Sequence, residues 1–283
     1  METTLSAEEI LDLIGAPIPD LLEAYKLERL RPEDVIEAIL EKSNTLSENA
    51  IWITQPNRDT LQPFLDRLAK NSPASLPLWG IPFAVKDNID VAGMPTTAAC
   101  PAFAYTPTTS AFAVEQLVAA GAVPIGKTNL DQFATGLVGV RSPYGIPFNP
   151  STPTLIPGGS SSASAIAMAC GLVSFALGTD TAGSGRIPAA FNGLTGSKLT
   201  RGLISTSGVV PACRSLDCVS LFTRNARDAA LIASIATTMD DRDPFARPNL
   251  SANAFTRFGR WSGKLTLGVI RPEQLQFFGD DAY

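Results

Sequence analysis

The sequence predicts an α/β fold, a sheet with helices packed on it. Three observations carry this reading. Short apolar runs that suit strands alternate with segments whose apolar residues recur at three- and four-residue spacing. A hydrophobic fraction of 45% against 17% charged residues marks a globular chain of 283 residues, long enough for a real core. Between Arg141 and Asp180 no charged residue occurs, too long an interval for a solvated loop, so this stretch belongs at the heart of the protein.

Residues 6–48 read as helical. Ile10, Leu11 and Ile14, then Leu21, Leu22 and Tyr25, keep helical spacing. Pro32-Glu33-Asp34 suits a first helical turn whose stripe continues through Val35, Ile36, Ile39 and Leu40. Ala50 to Thr54 fits a short strand and Arg58 to Lys70 a helix. Leu78 to Val85 fits a buried strand ending in Lys86-Asp87-Asn88. Ser110 to Ala120 carries a helical stripe with Gly121 as its C-terminal cap, and Val123 to Lys127 is the next strand. Inside the uncharged stretch, Gly158 to Ser162 leads into a small-residue helix, Ala163 to Cys170, and then a strand, Val173 to Leu177. Residues 238–263 are rich in Asp, Arg, Pro, Asn and Ser and read as a surface connection. Lys264 to Ile270 is a strand candidate, and Asp280 suits the start of a new helix. The chain divides into an N-terminal helical segment, 1–49, and a core, 50–283. No internal repeat is visible.

Composition excludes several kinds of chemistry. With no histidine there is no Ser-His-Asp or Cys-His nucleophile, no His-ligated zinc and no imidazole base. Acid–base work near neutral pH falls to a perturbed Lys, carboxylate, Cys or Tyr. A net charge of −5 argues against nucleic acid or an anionic membrane as partner. Cys100, Cys170, Cys213 and Cys218 show neither CxxC nor zinc spacing and read as reduced thiols of a cytoplasmic protein. The acidic N-terminus is unlike a signal or transit peptide, and no apolar run reaches the length of a membrane span.

Four features invite a functional reading. Gly121 to Thr128 matches the nucleotide-binding pattern GxxxxGK[ST] letter for letter. That motif needs a strand before and a helix after, whereas here the order is reversed, and Pro124 removes a phosphate-binding N–H. The reading is discounted in favour of a helix–Gly–strand connection. Gly158-Gly159-Ser160-Ser161-Ser162 would be a flexible linker elsewhere; in an uncharged stretch its hydroxyls can satisfy buried backbone. Thr179 to Arg186 supplies glycines beside a serine, which suits an oxyanion hole or an ordinary turn in which Ser184 caps a helix near Pro188. Lys86 at the end of an apolar strand is either a snorkelling lysine or a buried neutral base. Serine chemistry of the SxxK type is excluded, since none of the seven lysines has Ser three residues earlier. A GxSxG elbow fails at Ser184, flanked by Ala182 and Arg186. What remains is a lysine and serines brought together from separate segments.

Residues 157–193, from Pro157-Gly158-Gly159-Ser160 to Gly193, resemble the signature stretch of the amidase signature family, and Gly80 to Asp90 resembles its lysine motif. The resemblance covers most of residues 50–283. Within the family the segments around 77–105, 126–145, 178–192 and 201–220 are most similar to the allophanate hydrolases. The resemblance implies a mixed β-sheet core flanked by helices on both faces. It implies a Ser-Ser-Lys triad: Ser184 the nucleophile, Ser160 the bridging serine on a cis peptide, Lys86 the base. It further implies an oxyanion hole from the N–H groups of Thr181, Ala182, Gly183 and Ser184, support from Ser161 and Asp180, and a substrate pocket near Thr135 and Gly136. No metal or cofactor is implied. Ala163, where Gly is usual, and Ser197-Lys198-Leu199-Thr200, where LKPT is common, depart from the pattern. Family members continue beyond residue 283, so the fold is expected to be incomplete at the C-terminus.

The resemblance therefore implies an amidohydrolase releasing ammonia from allophanate in urea, biuret or cyanuric acid breakdown. A functional link to urea carboxylase or biuret hydrolase follows, and a homodimer is one assembly it allows. The alternatives are a general amidase and a catalytically incompetent fragment that serves only as a binding or assembly piece.

Overall fold

The computed structural model describes residues 5–249, 263–264 and 266–274. Three helices come first: α1 (Ala7–Gly15), α2 (Ile18–Lys26) and α3 (Pro32–Thr45). Ser6 and Glu9 form a reciprocal capping box on α1, and Pro32 occupies the first turn of α3, where its missing N–H costs nothing. Strand β1 (Trp52–Thr54) and helix α4 (Arg58–Leu68) lead to β2 (Pro82–Lys86), α5 (Phe112–Ala119) and β3 (Val123–Thr128). Then follow α6 (Ser162–Ala169), β4 (Phe175–Thr179), α7 (Arg186–Phe191), β5 (Thr195–Lys198), β6 (Val219–Thr223) and α8 (Ala226–Ala236).

The strands form one mixed six-stranded sheet in the order β1-β3-β2-β4-β6-β5. Its centre, β3-β2-β4, is parallel, and β1, β6 and β5 join antiparallel. Every residue of β2, β3 and β4 is buried. Because successive side chains leave opposite faces of a strand, both faces of the sheet are covered. Helix α6 lies against β2, β3, β4 and β6, and Ser162 to Met168 are all buried, as an uncharged stretch of small residues allows. Thr128 and Ser164 share a hydrogen bond at 2.7 Å, and the Ser164 hydroxyl donates to the Leu177 carbonyl, so the two polar groups under the sheet are satisfied.

Chain direction fixes where a site can form. From β2 the chain passes through α5 to β3 on one side, then through α6 to β4 on the other. The carboxyl ends of β2 and β4 therefore flank a topological switch point, the crevice where open α/β sheets bind ligands. Register pairs Val85 with Leu177, which brings the ends of the two strands, Lys86 and Thr179, together at that edge.

Helices α5 and α6 both end in Schellman turns. Gly121 N–H donates to Val118 and Ala122 N–H to Leu117, with Gly121 at φ +99°, so the expected cap is formed. The GxxxxGK[ST] match accordingly runs from a helix cap into β3, and Lys127 is buried against Asp87 at 3.4 Å, the reverse of a phosphate loop. Helices α1–α3 share one apolar core with the sheet, through Ile14, Ile18, Leu21 and Ile39. Tyr25 donates to the Gly80 carbonyl, and the buried carboxylate of Asp228 on α8 accepts from Ile18 N–H.

Three expectations are corrected. Ser184 does not cap α7: the cap is Gly185, and the first-turn N–H of Arg186 is taken by the side chain of Asp180 instead. The segment over 238–249 is more than a surface connection, because Asp240 and Asp243 are buried and bind Ser205 and Thr206. Lys264 to Ile270 is not a strand where it is described; Leu267, Val269 and Ile270 are exposed and no ladder partner holds them. Residues 250–262 and Asp280 lie outside the described residues. No helix among the described residues is long and apolar enough to cross a membrane.

Phe83 of β2 stacks on Phe175 of β4 at 4.8 Å between ring centroids, both fully buried. Phe175→Ala is expected to destabilise the fold by about 3–5 kcal/mol. Leu267→Ala, at an exposed position, should change it by less than about 0.5 kcal/mol. Urea unfolding of the two variants checks the contrast.

Candidate active site

Lys86 ends β2 fully buried. Its Nζ lies 2.8 Å from Ser160 Oγ and 2.7 Å from Thr179 Oγ1. Burial depresses the ammonium strongly, and the negative charges of Asp131, Asp217 and Asp180 only partly offset it. The pKa falls from 10.5 to about 7. Near neutral pH the uncharged amine is therefore well populated. A neutral amine donates to Thr179 Oγ1 and accepts from the Ser160 hydroxyl across the same two distances.

The turn that carries Ser160 is made by glycines. Gly158 sits at φ +72°, and a Cβ on Gly159 would collide with the carboxylate of Asp131 and the backbone of Gly139. The Gly159–Ser160 peptide is cis, in accord with the resemblance. Asp131, itself buried, accepts from the N–H groups of Gly139 and Arg141, and its own N–H donates to the Ser160 carbonyl. The Ser161 hydroxyl donates to the Thr179 carbonyl and accepts from Thr179 N–H, tying the turn to the end of β4. Ser161 N–H donates to the Ser184 carbonyl at 3.2 Å, so the backbone of Ser184 is held against this turn. The Ser184 hydroxyl points toward the Gly136 carbonyl at 3.5 Å, and Ser184 is nearly closed to solvent.

Asp180 organises the loop between them. Its carboxylate accepts from the N–H groups of Gly183, Gly185 and Arg186 and from the Arg186 guanidinium, with Lys198 Nζ at 3.3 Å. Burial alone would raise its pKa; the hydrogen bonds from Arg186, Gly183 and Gly185 overcome this and hold it well below the usual carboxylate range. Of the four expected donors, Gly183 N–H donates to Asp180 at 2.7 Å. The N–H groups of Thr181, Ala182 and Ser184 donate to no protein acceptor among the described residues.

Thr135 is exposed, with its hydroxyl on the Gln132 carbonyl, while Gly136 borders Ser184. The structure thus gathers Lys86, Ser160, Ser161, Asp180, Ser184 and Gly136 at the switch point. Sequence reasoning missed Thr179, Asp131, Asp217 and Lys198. Thr179 left one signal, a polar residue closing an apolar strand, as Lys86 closes β2. No group of three or more candidate metal ligands occurs among the described residues. The arrangement sets a buried amine against the Ser160 hydroxyl, beside a serine and N–H groups without protein acceptors. Such a set can support acyl transfer at serine without histidine.

Comparison with known proteins agrees with that class. Residues 34–278 match the family model described as Amidase, and the chain belongs to this family, the amidase signature family. Among its relatives is the urea amidolyase of Saccharomyces cerevisiae, 43% identical over 98% of this chain and 15% of that protein. The Kluyveromyces lactis allophanate hydrolase structure is 44% identical with a TM-score of 0.75, covering 83% of this chain and 39% of that one. The Kluyveromyces lactis urea amidolyase structure is 45% identical with a TM-score of 0.76, covering 83% of this chain and 14% of that one. The chain spans less than half the length of each of these relatives.

Lys86→Met is expected to stabilise the fold at pH 7 by about 2 kcal/mol. The gain is about 4 kcal/mol of desolvation less two lost hydrogen bonds. The sign with pH follows from the lowered pKa: between 7 and 10.5 the unfolded chain holds the extra proton, so the parent gains stability as pH rises. The advantage of the variant should shrink from pH 7 toward pH 10, measured by denaturant unfolding.

Proposed function

We propose that this chain cleaves a terminal amide C–N bond at Ser184, with Ser160 as proton relay and Lys86 as base. The observation that carries the reading is a fully buried Lys86 touching Ser160, its pKa brought down to about 7. Ser184 Oγ attacks the amide carbonyl as its proton passes to Ser160 and the Ser160 proton to Lys86. The oxyanion is met by N–H groups of the Thr181–Ser184 turn, with Thr181, Ala182 and Ser184 the free donors. Protonated Lys86 returns the proton through Ser160 to the leaving nitrogen, the C–N bond breaks and ammonia departs. Water then hydrolyses the acyl-enzyme by the same relay in reverse. Ser161 and Asp180 hold the two turns in place, and Thr135 and Gly136 border the substrate. The residues use no metal or cofactor in this scheme.

Allophanate is the substrate we assign, supported by 43–45% identity to proteins named urea amidolyase and allophanate hydrolase. The same names support a functional link to urea carboxylation. A general amidase is the second reading, favoured by 42% identity over 60% of the chain to an indoleacetamide hydrolase of Pseudomonas savastanoi. We treat 1–49 as an N-terminal helical segment and 50–283 as the catalytic core.

Ammonia release from allophanate and from indoleacetamide separates the two readings. Ser184→Ala should lower kcat by a factor of about 10⁴ or more, leaving background. An equal rate in parent and variant would overturn the nucleophile assignment. Activity should also rise with pH through an apparent pKa near 7 and then level, because only neutral Lys86 accepts the proton. A flat profile from pH 5.5 to 8.5 would contradict the base assignment.

A further inference from the structure

Thr181, the first residue of the candidate oxyanion turn, is held from two sides. Lys198 Nζ, reaching across from the end of β5, donates to the Thr181 carbonyl at 2.9 Å. The Thr181 hydroxyl donates to the buried carboxylate of Asp217. Asp217 is itself fixed, accepting from the N–H groups of Ala212 and Cys213. Lys198 is three-quarters buried and also lies 3.3 Å from Asp180, which holds the other end of the turn.

A carbonyl and the following N–H share one rigid plane and point in opposite directions. Fixing the Thr181 carbonyl therefore fixes the direction of Ala182 N–H. A cation on the carbonyl also draws electron density from the peptide and makes that N–H a stronger donor. We propose that Lys198 and Asp217 form a clamp on Thr181 that aims and polarises the Ala182 N–H toward the developing oxyanion. Both are positioning residues, and the proposal rests on the amide-cleavage reading above. Asp217 has a second role through space. With Asp131 and Asp180 it is one of three carboxylates whose charge favours protonated Lys86, while Arg186 and Lys198 pair with Asp180. The clamp thus links the aim of the donor to the basicity of the lysine.

The test is covalent labelling of Ser184 by a fluorophosphonate. The reaction forms an Oγ–P bond and expels fluoride, the Ser184 proton passing through Ser160 to Lys86. Lys198→Met should slow labelling by about tenfold or more, and Lys198→Arg, which keeps charge and donor, should restore most of it. Thr181→Val, a milder variant, should also slow labelling should the methionine variant not fold. Asp217→Asn should slow labelling and move the acid limb of its pH profile to lower pH, since one charge favouring protonated Lys86 is gone. A purely structural role would leave that limb in place. Folded Lys198→Met and Thr181→Val labelled at the parental rate overturn the clamp alone. A parent in which Ser184 is not labelled overturns the amide-cleavage reading and the clamp with it.

Discussion

The site depends on one enforced burial: an amine-bearing side chain placed, fully buried, at the end of a central strand. Lys86 is there because β2 is apolar on both faces up to its last residue, and because β3 and β4 flank it in parallel. Desolvation lowers the pKa of the ammonium to about 7, so that the neutral amine is populated near neutral pH. Its neighbours satisfy the amine or limit that depression. Ser160 and Thr179 satisfy the amine directly, and the three carboxylates keep it from falling further.

A second constraint follows from the first. A chain that turns sharply beside a buried amine must satisfy its own backbone, and it does so with carboxylates. Asp131 accepts two N–H groups from the 137–141 segment, and Asp180 gathers three from its own loop. These charges act as structural ligands for peptide N–H and as electrostatic ligands for Lys86 at the same time. The N–H groups left over at Thr181, Ala182 and Ser184 have no protein acceptor among the described residues; Ala182 is exposed, while Ser184 is buried.

Much of this was legible in the sequence, and the reasons are specific. Lys86 stood out as a charge closing an apolar run, open by that pattern to a snorkelling role or a base. Ser160 stood out within a hydroxyl cluster inside an uncharged stretch, and the family resemblance was what joined the two. The helix cap at Gly121 exposed the nucleotide pattern as a coincidence. Thr179 left only the signal of a polar residue closing a strand, because its contact with Lys86 depends on the register of β2 with β4. Asp131 and Asp217 lie in loops that only the folded sheet brings near Lys86, so neither left a local pattern. The misplaced cap at Ser184 has a similar cause: hydroxyl and carboxylate compete for the same N–H groups, and Asp180 reaches them first. Asp240 and Asp243 looked solvent-facing by composition, yet each is buried by binding a serine or threonine of another segment. Lys264 to Ile270 had the apolar run of a strand, but a strand needs a neighbour, and none pairs with its described residues.

The central claim is the basicity of a single amine, and it is measured most directly by following the Lys86 side-chain resonance through a pH titration by NMR. Comparison with Lys86→Met assigns the signal. The account predicts a midpoint near 7. A midpoint close to the ordinary lysine value of 10.5 would show that Lys86 stays charged in the fold, and the base at the centre of this site would have to be another group.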